Sequence, residues 1–109
     1  MDKTIEPVNF DASQDLINQM DTYFDDLITY NDQITSADIY LKVHDEKATE
    51  KSEVQIKVFV PGHEIFADAM GEHFTEAAHN VFQKVKRQLR KAKEQDKDHY
   101  QPREGKAVI

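Results

Sequence analysis

Apolar residues recur at helical spacing in the first third of the chain. Leu16, Met20, Phe24 and Leu27 are separated by four, four and three residues, which places them on one face of an α-helix. Ser13 precedes this run, and a serine at that position accepts a hydrogen bond from a free backbone N–H of the first turn. The pattern predicts a helix over residues 14–30.

Alternation of apolar and polar residues follows, the period of two expected of strands with one packed face and one solvent-exposed face. It predicts strands over 37–44, 53–60 and 65–70, with a charged connection over 45–51 and a turn over 61–64. A short extended stretch at 4–6 predicts the first strand, which Pro7 ends because proline cannot donate to a strand ladder.

A second helical pattern begins after Gly71 and predicts a helix over 73–93. Periodicity is lost after Lys93, and Pro102 and Gly105 lie in the remainder. Residues 94–109 are therefore predicted to be a disordered tail that follows a single domain over residues 1–93. The apolar stripe of the helix consists of Phe74, Ala78, Val81, Val85, Leu89 and Ala92.

The order strand, helix, three strands, helix predicts an α+β fold. A helix between two strands usually joins parallel neighbours by a right-handed crossover, and the other connections are short enough for hairpins. Each long strand offers one apolar row. We therefore expect a βαβββα two-layer sandwich, in which a four-stranded mixed sheet carries both helices on one face.

Charge is unevenly distributed along the 109 residues. The formal net charge of -7 argues against a general nucleic-acid-binding domain, because such domains carry a net basic field. Residues 1–50 contain 12 acidic and 3 basic side chains, whereas residues 51–109 contain 9 acidic and 11 basic ones. Within 84–93 there are six cations and no acid. This asymmetry indicates a partner that recognises charge.

The cations of 84–93 have one functional and two structural interpretations. The functional one is phosphate binding. In the first structural one, Arg90, Lys91 and Lys93 lie in the last turn of the predicted helix, where a cation stabilises the helix dipole by about 0.3–1 kcal/mol. In the second, the cations pair with the acidic solvent face of helix one, at about 0–1 kcal/mol for each exposed pair. That acidic face consists of Asp15, Asp21, Asp25 and Asp26.

The sheet face opposite the helices is predicted to carry aromatic side chains beside Lys42 and Lys57. Exposed aromatics on a sheet can stack RNA bases. We favour a small hydrophobic patch or a protein contact, because no glycine-rich aromatic signature accompanies them. The apolar members of this face are Tyr40, Phe59, Phe66 and Met70.

No enzyme signature is present. Three glycines, at positions 62, 71 and 105, allow no glycine-rich phosphate loop. Without cysteine there is no thiol nucleophile or thiolate zinc site, and the five histidines lack the i, i+4 spacing of a helical zinc pair. We expect no metal, no other cofactor and no small-molecule substrate. No apolar run approaches the roughly 20 residues of a membrane span, so we expect a cytoplasmic protein without a membrane partner.

Two segments carry a recognisable motif. Residues 65–71 are Ile-Phe-Ala-Asp-Ala-Met-Gly, and residues 84–93 are Lys-Val-Lys-Arg-Gln-Leu-Arg-Lys-Ala-Lys. In this strand and helix order they resemble the ribosome hibernation promoting factor and ribosome-associated inhibitor A family, over about residues 3–93. We expect a short form of the family, because the resemblance does not extend to the second domain of longer members. It departs from the family pattern on helix one, which has aspartates where the family usually has basic residues.

The resemblance implies a domain similar to double-stranded RNA-binding domains and a non-enzymatic stress factor. Such a factor binds the small ribosomal subunit and its ribosomal RNA, blocks the region of messenger and transfer RNA, and inhibits translation. We expect a monomer, with secondary contacts at Tyr40, Lys42 and Lys57. The alternative is a diverged relative that acts as a protein-interaction module through its acidic helix one and aromatic sheet face. By position, the resemblance assigns RNA contacts to Lys84, Arg87, Gln88, Lys91 and Lys93, and this chain adds Lys86 and Arg90.

Overall fold

Strands and helices follow one another along the chain in the order that the sequence predicts. The computed structural model describes residues 2–46 and 49–100, with side chains at 2–45 and 51–93. The order βαβββα is confirmed. The elements are β1 (Asp2–Pro7), α1 (Gln14–Tyr30), β2 (Ser36–Glu46), β3 (Thr49–Val60), β4 (His63–Gly71) and α2 (Phe74–Tyr100).

The four strands form one mixed sheet in the order β1-β2-β3-β4. β1 pairs with β2 in parallel, and the β2–β3 and β3–β4 pairs are antiparallel. The parallel pair is the one joined through α1, as expected for a crossover helix, whereas the antiparallel pairs are hairpins. β1 and β4 are the edges of the sheet.

The core lies between one face of the sheet and both helices. The inward row of each long strand is buried, and α1 and α2 contact each other above it. Burial of a large apolar side chain contributes about 1.5–3 kcal/mol, so this layer is the main source of stability. The helices contribute Met20, Phe24, Leu27, Ala77, Ala78, Val81, Phe82, Val85 and Leu89, and the strands contribute Ala37, Ile39, Leu41, Val54, Ile56, Val58, Ile65, Ala67 and Ala69.

Both ends of α1 lie where the sequence predicts them. The Ser13 hydroxyl accepts a hydrogen bond from the Leu16 backbone N–H at 3.1 Å, which satisfies one of the free donors of the first turn. At the other end, the Asn31 N–H donates to the Leu27 carbonyl at 2.9 Å. Asn31 is already in an extended conformation, so the helix stops there.

Pairing of β1 continues past Pro7, where the prediction ended the strand. The Val8 N–H donates to the Leu41 carbonyl at 2.8 Å. The Asn9 side chain then donates to the Val43 carbonyl at 2.8 Å and accepts from the Val43 N–H at 3.0 Å. The proline is tolerated because β1 is an edge strand, and the Asn9 amide pairs as a backbone group would.

The β2–β3 hairpin is longer than predicted. Residues 45–51 were expected to connect the strands, but Asp45 pairs with Glu50 and Glu46 pairs with Thr49. Neither glycine nor proline interrupts these residues, so polar composition alone does not end the ladder. Residues 47 and 48 lie outside the described part of the chain. The next turn is shorter than predicted, because β4 begins at His63 and the turn needs only Pro61 and Gly62, whose φ is 83°.

α2 begins one residue after its predicted start and extends to Tyr100, seven residues beyond its predicted end at Lys93. The predicted tail therefore begins with helical backbone at 94–100, and 101–109 lies outside the described residues. Loss of apolar periodicity does not end the helix, since Glu, Gln and Lys favour helices and the next proline is Pro102. At the start of α2, a Cβ on Gly71 would lie 2.6 Å from Glu76 Oε1, which accepts from the Glu72 N–H at 2.8 Å.

Candidate nucleic-acid interface

The outer side of α2 carries four cations that pair with no described acidic side chain. They are exposed because the apolar stripe of the helix packs against β3, β4 and α1. Side chains three and four residues apart on a helix are neighbours, so the four cations form one continuous patch. We call this patch the α2 cationic surface. It consists of Arg87, Arg90, Lys91 and Lys93.

Lys84 and Gln88 contact the edge of the sheet. Lys84 Nζ donates to the Asp68 carbonyl at 2.7 Å, and Gln88 Nε2 donates to the Phe66 carbonyl at 3.1 Å. Two residues along a strand and four residues along a helix both span about 6–7 Å. The distance between the two donors on α2 therefore equals the distance between the two carbonyls on β4. Because β4 is an edge strand, these bonds satisfy carbonyls that no further strand reaches. Two of the predicted RNA contacts therefore fasten α2 to β4.

Lys86 lies on the opposite flank of α2, against α1. Its Nζ is 2.8 Å from Asp26 Oδ2 and 5.4 Å from the centre of the Tyr30 ring. The Lys86 side chain is 22% exposed. The interpretation in which α2 cations pair with the acidic face of helix one is confirmed at this residue, although not at any other described cation of α2.

The acidic face of α1 is partly neutralised within the molecule. Lys3 Nζ of β1 lies 2.5 Å from Asp21 Oδ1, and Lys86 pairs with Asp26. The Lys3 ammonium also lies 5.1 Å from the centre of the Phe24 ring. Two of the four aspartates of this face therefore have a cation beside them. The net negative charge that the face presents to a basic partner is smaller than the sequence suggests.

The predicted secondary contacts lie on the sheet face opposite α2. Tyr40, Lys42 and Lys57 are half-buried there. Lys57 lies opposite Asp38 in the register of β2 and β3, and Lys42 lies opposite Glu53. The face is thus of mixed charge, and the sheet separates it from the α2 cationic surface. Of its apolar residues, Phe66 and Met70 are 51% and 46% exposed.

A polar cluster on this face was not predicted from the sequence. Glu53 is only 8% exposed; its Oε1 lies 2.6 Å from His44 Nε2, and its Oε2 accepts from Gln55 Nε2 at 3.0 Å. Burial raises the pKa of Glu53, but the contacts with His44 and Gln55 outweigh burial, and the pKa is lowered. The diagonal placement of His44 and Glu53 depends on the strand register, which alternation alone does not specify.

Among the side chains at 2–45 and 51–93, no three His, Asp or Glu residues are grouped so that they could hold a metal ion. Neither described helix is both long enough and apolar enough to cross a membrane.

Comparison with known proteins gives one family and several structures. Residues 4–97 match the family described as "Sigma 54 modulation protein / S30EA ribosomal protein". A ribosomal subunit interface protein from Coxiella burnetii is similar, with a TM-score of 0.76 and 22% identity over 85% of this chain and 98% of that one. The Protein Y N-terminal domain of Thermus thermophilus has a TM-score of 0.69 and 15% identity over 81% and 93%. No protein of curated function matches the chain.

Proposed function

The chain belongs to the sigma 54 modulation protein / S30EA ribosomal protein family, and from that premise we propose that it binds the small ribosomal subunit through ribosomal RNA phosphates. Members of this family are non-enzymatic ribosome-associated hibernation factors, so the chain is a ribosome-binding regulator of translation and not an enzyme. In our proposal it acts as a cytoplasmic monomer that occupies the region of messenger and transfer RNA.

The α2 cationic surface is the observation that supports RNA binding. A cation with no acidic partner among the described side chains loses little when it meets a phosphate, because no described ion pair has to break first. Arginine adds geometry to charge, since its guanidinium can bind two phosphate oxygens at once. Arg87 and Arg90 supply such groups, and Lys91 and Lys93 supply compact ammonium charges beside them.

The docking of α2 makes this surface a rigid one. The helix is fixed along β4 by Lys84 and Gln88 and against α1 by Lys86. The backbone positions that carry the exposed cations are therefore fixed before RNA arrives, so only their side chains have to be ordered on binding. A domain docked in this way inhibits by occupancy, because it fills space that messenger and transfer RNA would need.

The negative net charge does not prevent this contact. Screening limits the reach of exposed charges to about 8–10 Å at physiological salt, so the α2 cationic surface acts on a nearby phosphate more strongly than distant acids do. Asp21 and Asp26 of α1 already have cations beside them. The same neutralisation disfavours the alternative in which the acidic face of α1 recruits a basic protein.

Co-sedimentation with purified small and large ribosomal subunits tests the proposal. We expect the wild-type protein to travel with the small subunit at low salt and to be released as salt rises. Arg87→Glu together with Lys91→Glu reverses two charges of the α2 cationic surface and should abolish co-sedimentation. Lys51→Glu is the control, since Lys51 is exposed on β3, away from α2, and this variant should bind as the wild type does.

Three results would contradict the proposal. One is equal association with both subunits, another is binding that does not change between 50 and 300 mM salt, and the third is a double variant that still binds. To separate occupancy from mere attachment, the same proteins should be compared for inhibition of messenger and initiator transfer RNA binding. The proposal requires that inhibition and co-sedimentation be lost together.

A further inference from the structure

A cleft with a volume of about 780 Å³ opens where α1 ends. It lies between the C-terminal end of α1, the β3–β4 turn and the second half of α2. Its apolar lining includes Val60, Leu89 and Ala92, of which Leu89 is 2% and Ala92 is 9% exposed. A cleft of this volume is within the range of about 300–1,000 Å³ typical of small-molecule sites.

Tyr30 forms an aromatic wall of the cleft. Its side chain is 46% exposed, yet its position is constrained. The hydroxyl lies 3.5 Å from the Lys86 carbonyl, and the Lys86 ammonium lies 5.4 Å from the ring centre. Since Lys86 is itself paired with Asp26, the ring is supported by two helices and is available to stack a flat ligand.

Two cations of the α2 cationic surface, Arg90 and Lys93, also line this cleft. Asp32 and Gln33, in the loop after α1, belong to the same lining. That loop is fixed by the Gln33 N–H, which donates to the Asn31 side-chain oxygen at 2.8 Å. The cleft thus combines an aromatic wall, an apolar floor, an amide and a carboxylate that can bond polar edges, and two cations.

We propose that this cleft receives an unpaired nucleotide of RNA, with its base against Tyr30 and its phosphate at Arg90 and Lys93. The inference rests on the proposed function and extends it, because it names a feature of the RNA that the protein selects. A nucleotide unites a flat π-face, a polar edge and an anion in one ligand. Unpaired bases of loops and bulges are also the parts of RNA that proteins recognise most specifically, largely by stacking on aromatic side chains.

The test compares two labelled RNA hairpins that differ only by one unpaired adenosine in the stem. We expect the wild-type protein to prefer the bulged hairpin by about fivefold or more, which is the lower range of base–aromatic stacking. Tyr30→Leu should remove this preference, whereas Tyr30→Phe should keep it, because the ring remains. Phe66→Leu is a matched control, since Phe66 is an exposed aromatic on the other side of the sheet. Circular dichroism melting should verify that each variant folds.

The experiment distinguishes two negative outcomes: the cleft does not bind a nucleotide, or the protein does not bind RNA at all. If both hairpins bind equally well, and Arg87→Glu with Lys91→Glu abolishes both, RNA binding stands and the cleft proposal is overturned. Loss of the preference in Phe66→Leu instead of Tyr30→Leu overturns it too, because the sheet would then be the stacking surface. If neither hairpin binds, the protein does not bind RNA. That result contradicts both the proposed function and the proposal that the cleft receives an RNA nucleotide.

A titration with adenosine 5′-monophosphate, followed by NMR, tests the cleft without RNA. The ring signals of Tyr30 and the methyl signals of Val60 and Leu89 should shift at millimolar nucleotide, and those of Met70 on the opposite face should not. No shift at Tyr30 overturns the proposal. A shift at Tyr30 without any preference for the bulged hairpin overturns the RNA source and assigns the cleft to free nucleotides.

Discussion

Two groups of polar side chains share α2 and differ in what they contact. Lys84, Lys86 and Gln88 donate to β4 and α1, whereas the α2 cationic surface meets no described acid. Both groups belong to the segment 84–93, and the sequence alone does not distinguish the cations of one group from those of the other. The difference teaches that proximity in sequence does not assign a cation to a partner. The neighbouring elements do so, because β4 lies beside one flank of the helix and α1 lies beside the other.

The two groups also differ energetically. A hydrogen bond within the protein contributes about 0.5–1.5 kcal/mol net, and a partly exposed ion pair contributes about 0–1 kcal/mol. A phosphate that recruits Lys84 or Lys86 must first replace these contacts. A phosphate that meets Arg87 or Lys91 displaces no contact with the side chains that the structure describes. We therefore expect RNA to use the exposed group first.

Truncating a buried apolar side chain of α2 should have the largest effect on stability, because that side chain holds the helix that carries both groups against the core. Leu89 lies on the buried stripe of α2 and is 2% exposed, so Leu89→Ala leaves a cavity and should lower the free energy of unfolding by about 2–5 kcal/mol. Urea denaturation measures this. Lys91→Ala, two residues away and exposed, should change it by less than about 0.5 kcal/mol. Equal losses in the two variants would contradict the packing described for α2.

Removing the contacts of α2 with β4 should have the next largest effect. Lys84→Met together with Gln88→Leu deletes both hydrogen bonds to strand carbonyls and should lower the free energy of unfolding by about 1–2 kcal/mol. The loss is limited to this range because water can bond the carbonyls in the variant. Arg87→Met is the control, because Arg87 donates to no described group, and it should leave stability almost unchanged. A double variant as stable as the wild type would mean that these bonds do not fasten the helix.

Releasing Lys86 from its ion pair with Asp26 should add one cation to those that can bind phosphate. Asp26→Asn removes the carboxylate beside Lys86, so Lys86 becomes available to phosphate. We expect ribosome affinity to rise and the dependence of log K on log salt to steepen by about 0.7–0.9. Asp25→Asn removes the same charge from an exposed aspartate without releasing Lys86, and it should leave the slope unchanged. Equal slopes in the two variants would show that Lys86 does not join the interface.

The smallest effect concerns Glu53, a paired carboxylate on the sheet face opposite α2. Its pKa lies below the ordinary value of 4.5, so its contribution to stability is present above pH 4.5 and is lost as the pH falls through its lower folded pKa. His44→Ala removes a partner of the charged form. We expect the midpoint of acid unfolding to move to higher pH, as circular dichroism would record. An unchanged midpoint would contradict the role of His44.

The fold was largely predictable from the sequence because its signals are local. Ser13 and the spacing from Leu16 to Leu27 mark α1, and alternation marks the strands. The errors arose where polar residues continue an element, as in the β2–β3 hairpin and at the end of α2. There the backbone hydrogen bonds continue through residues that carry no apolar pattern, so hydrophobic patterning does not detect them.

The candidate site was predictable only in part because its contacts are long-range. The cationic segment 84–93 is visible in the sequence, but the partners of Lys84, Lys86 and Gln88 depend on how α2 lies across β4 and α1. Nothing in the sequence marks Tyr30, because its place beside Lys86 depends on the same packing. A sequence shows which cations are available, and the structure shows which of them already have partners.

The most direct test of this account is the salt dependence of ribosome binding for two matched double variants. Arg87→Gln with Lys91→Gln removes two exposed cations, and Lys84→Gln with Lys86→Gln removes two paired ones. Each change lowers the net charge equally. We expect the first variant to reduce the slope of log K against log salt by about 1.4–1.8, which corresponds to two phosphate contacts, and the second to reduce it by less than half as much. Equal reductions, or a larger one for Lys84 and Lys86, would contradict the assignment of RNA binding to the exposed cations.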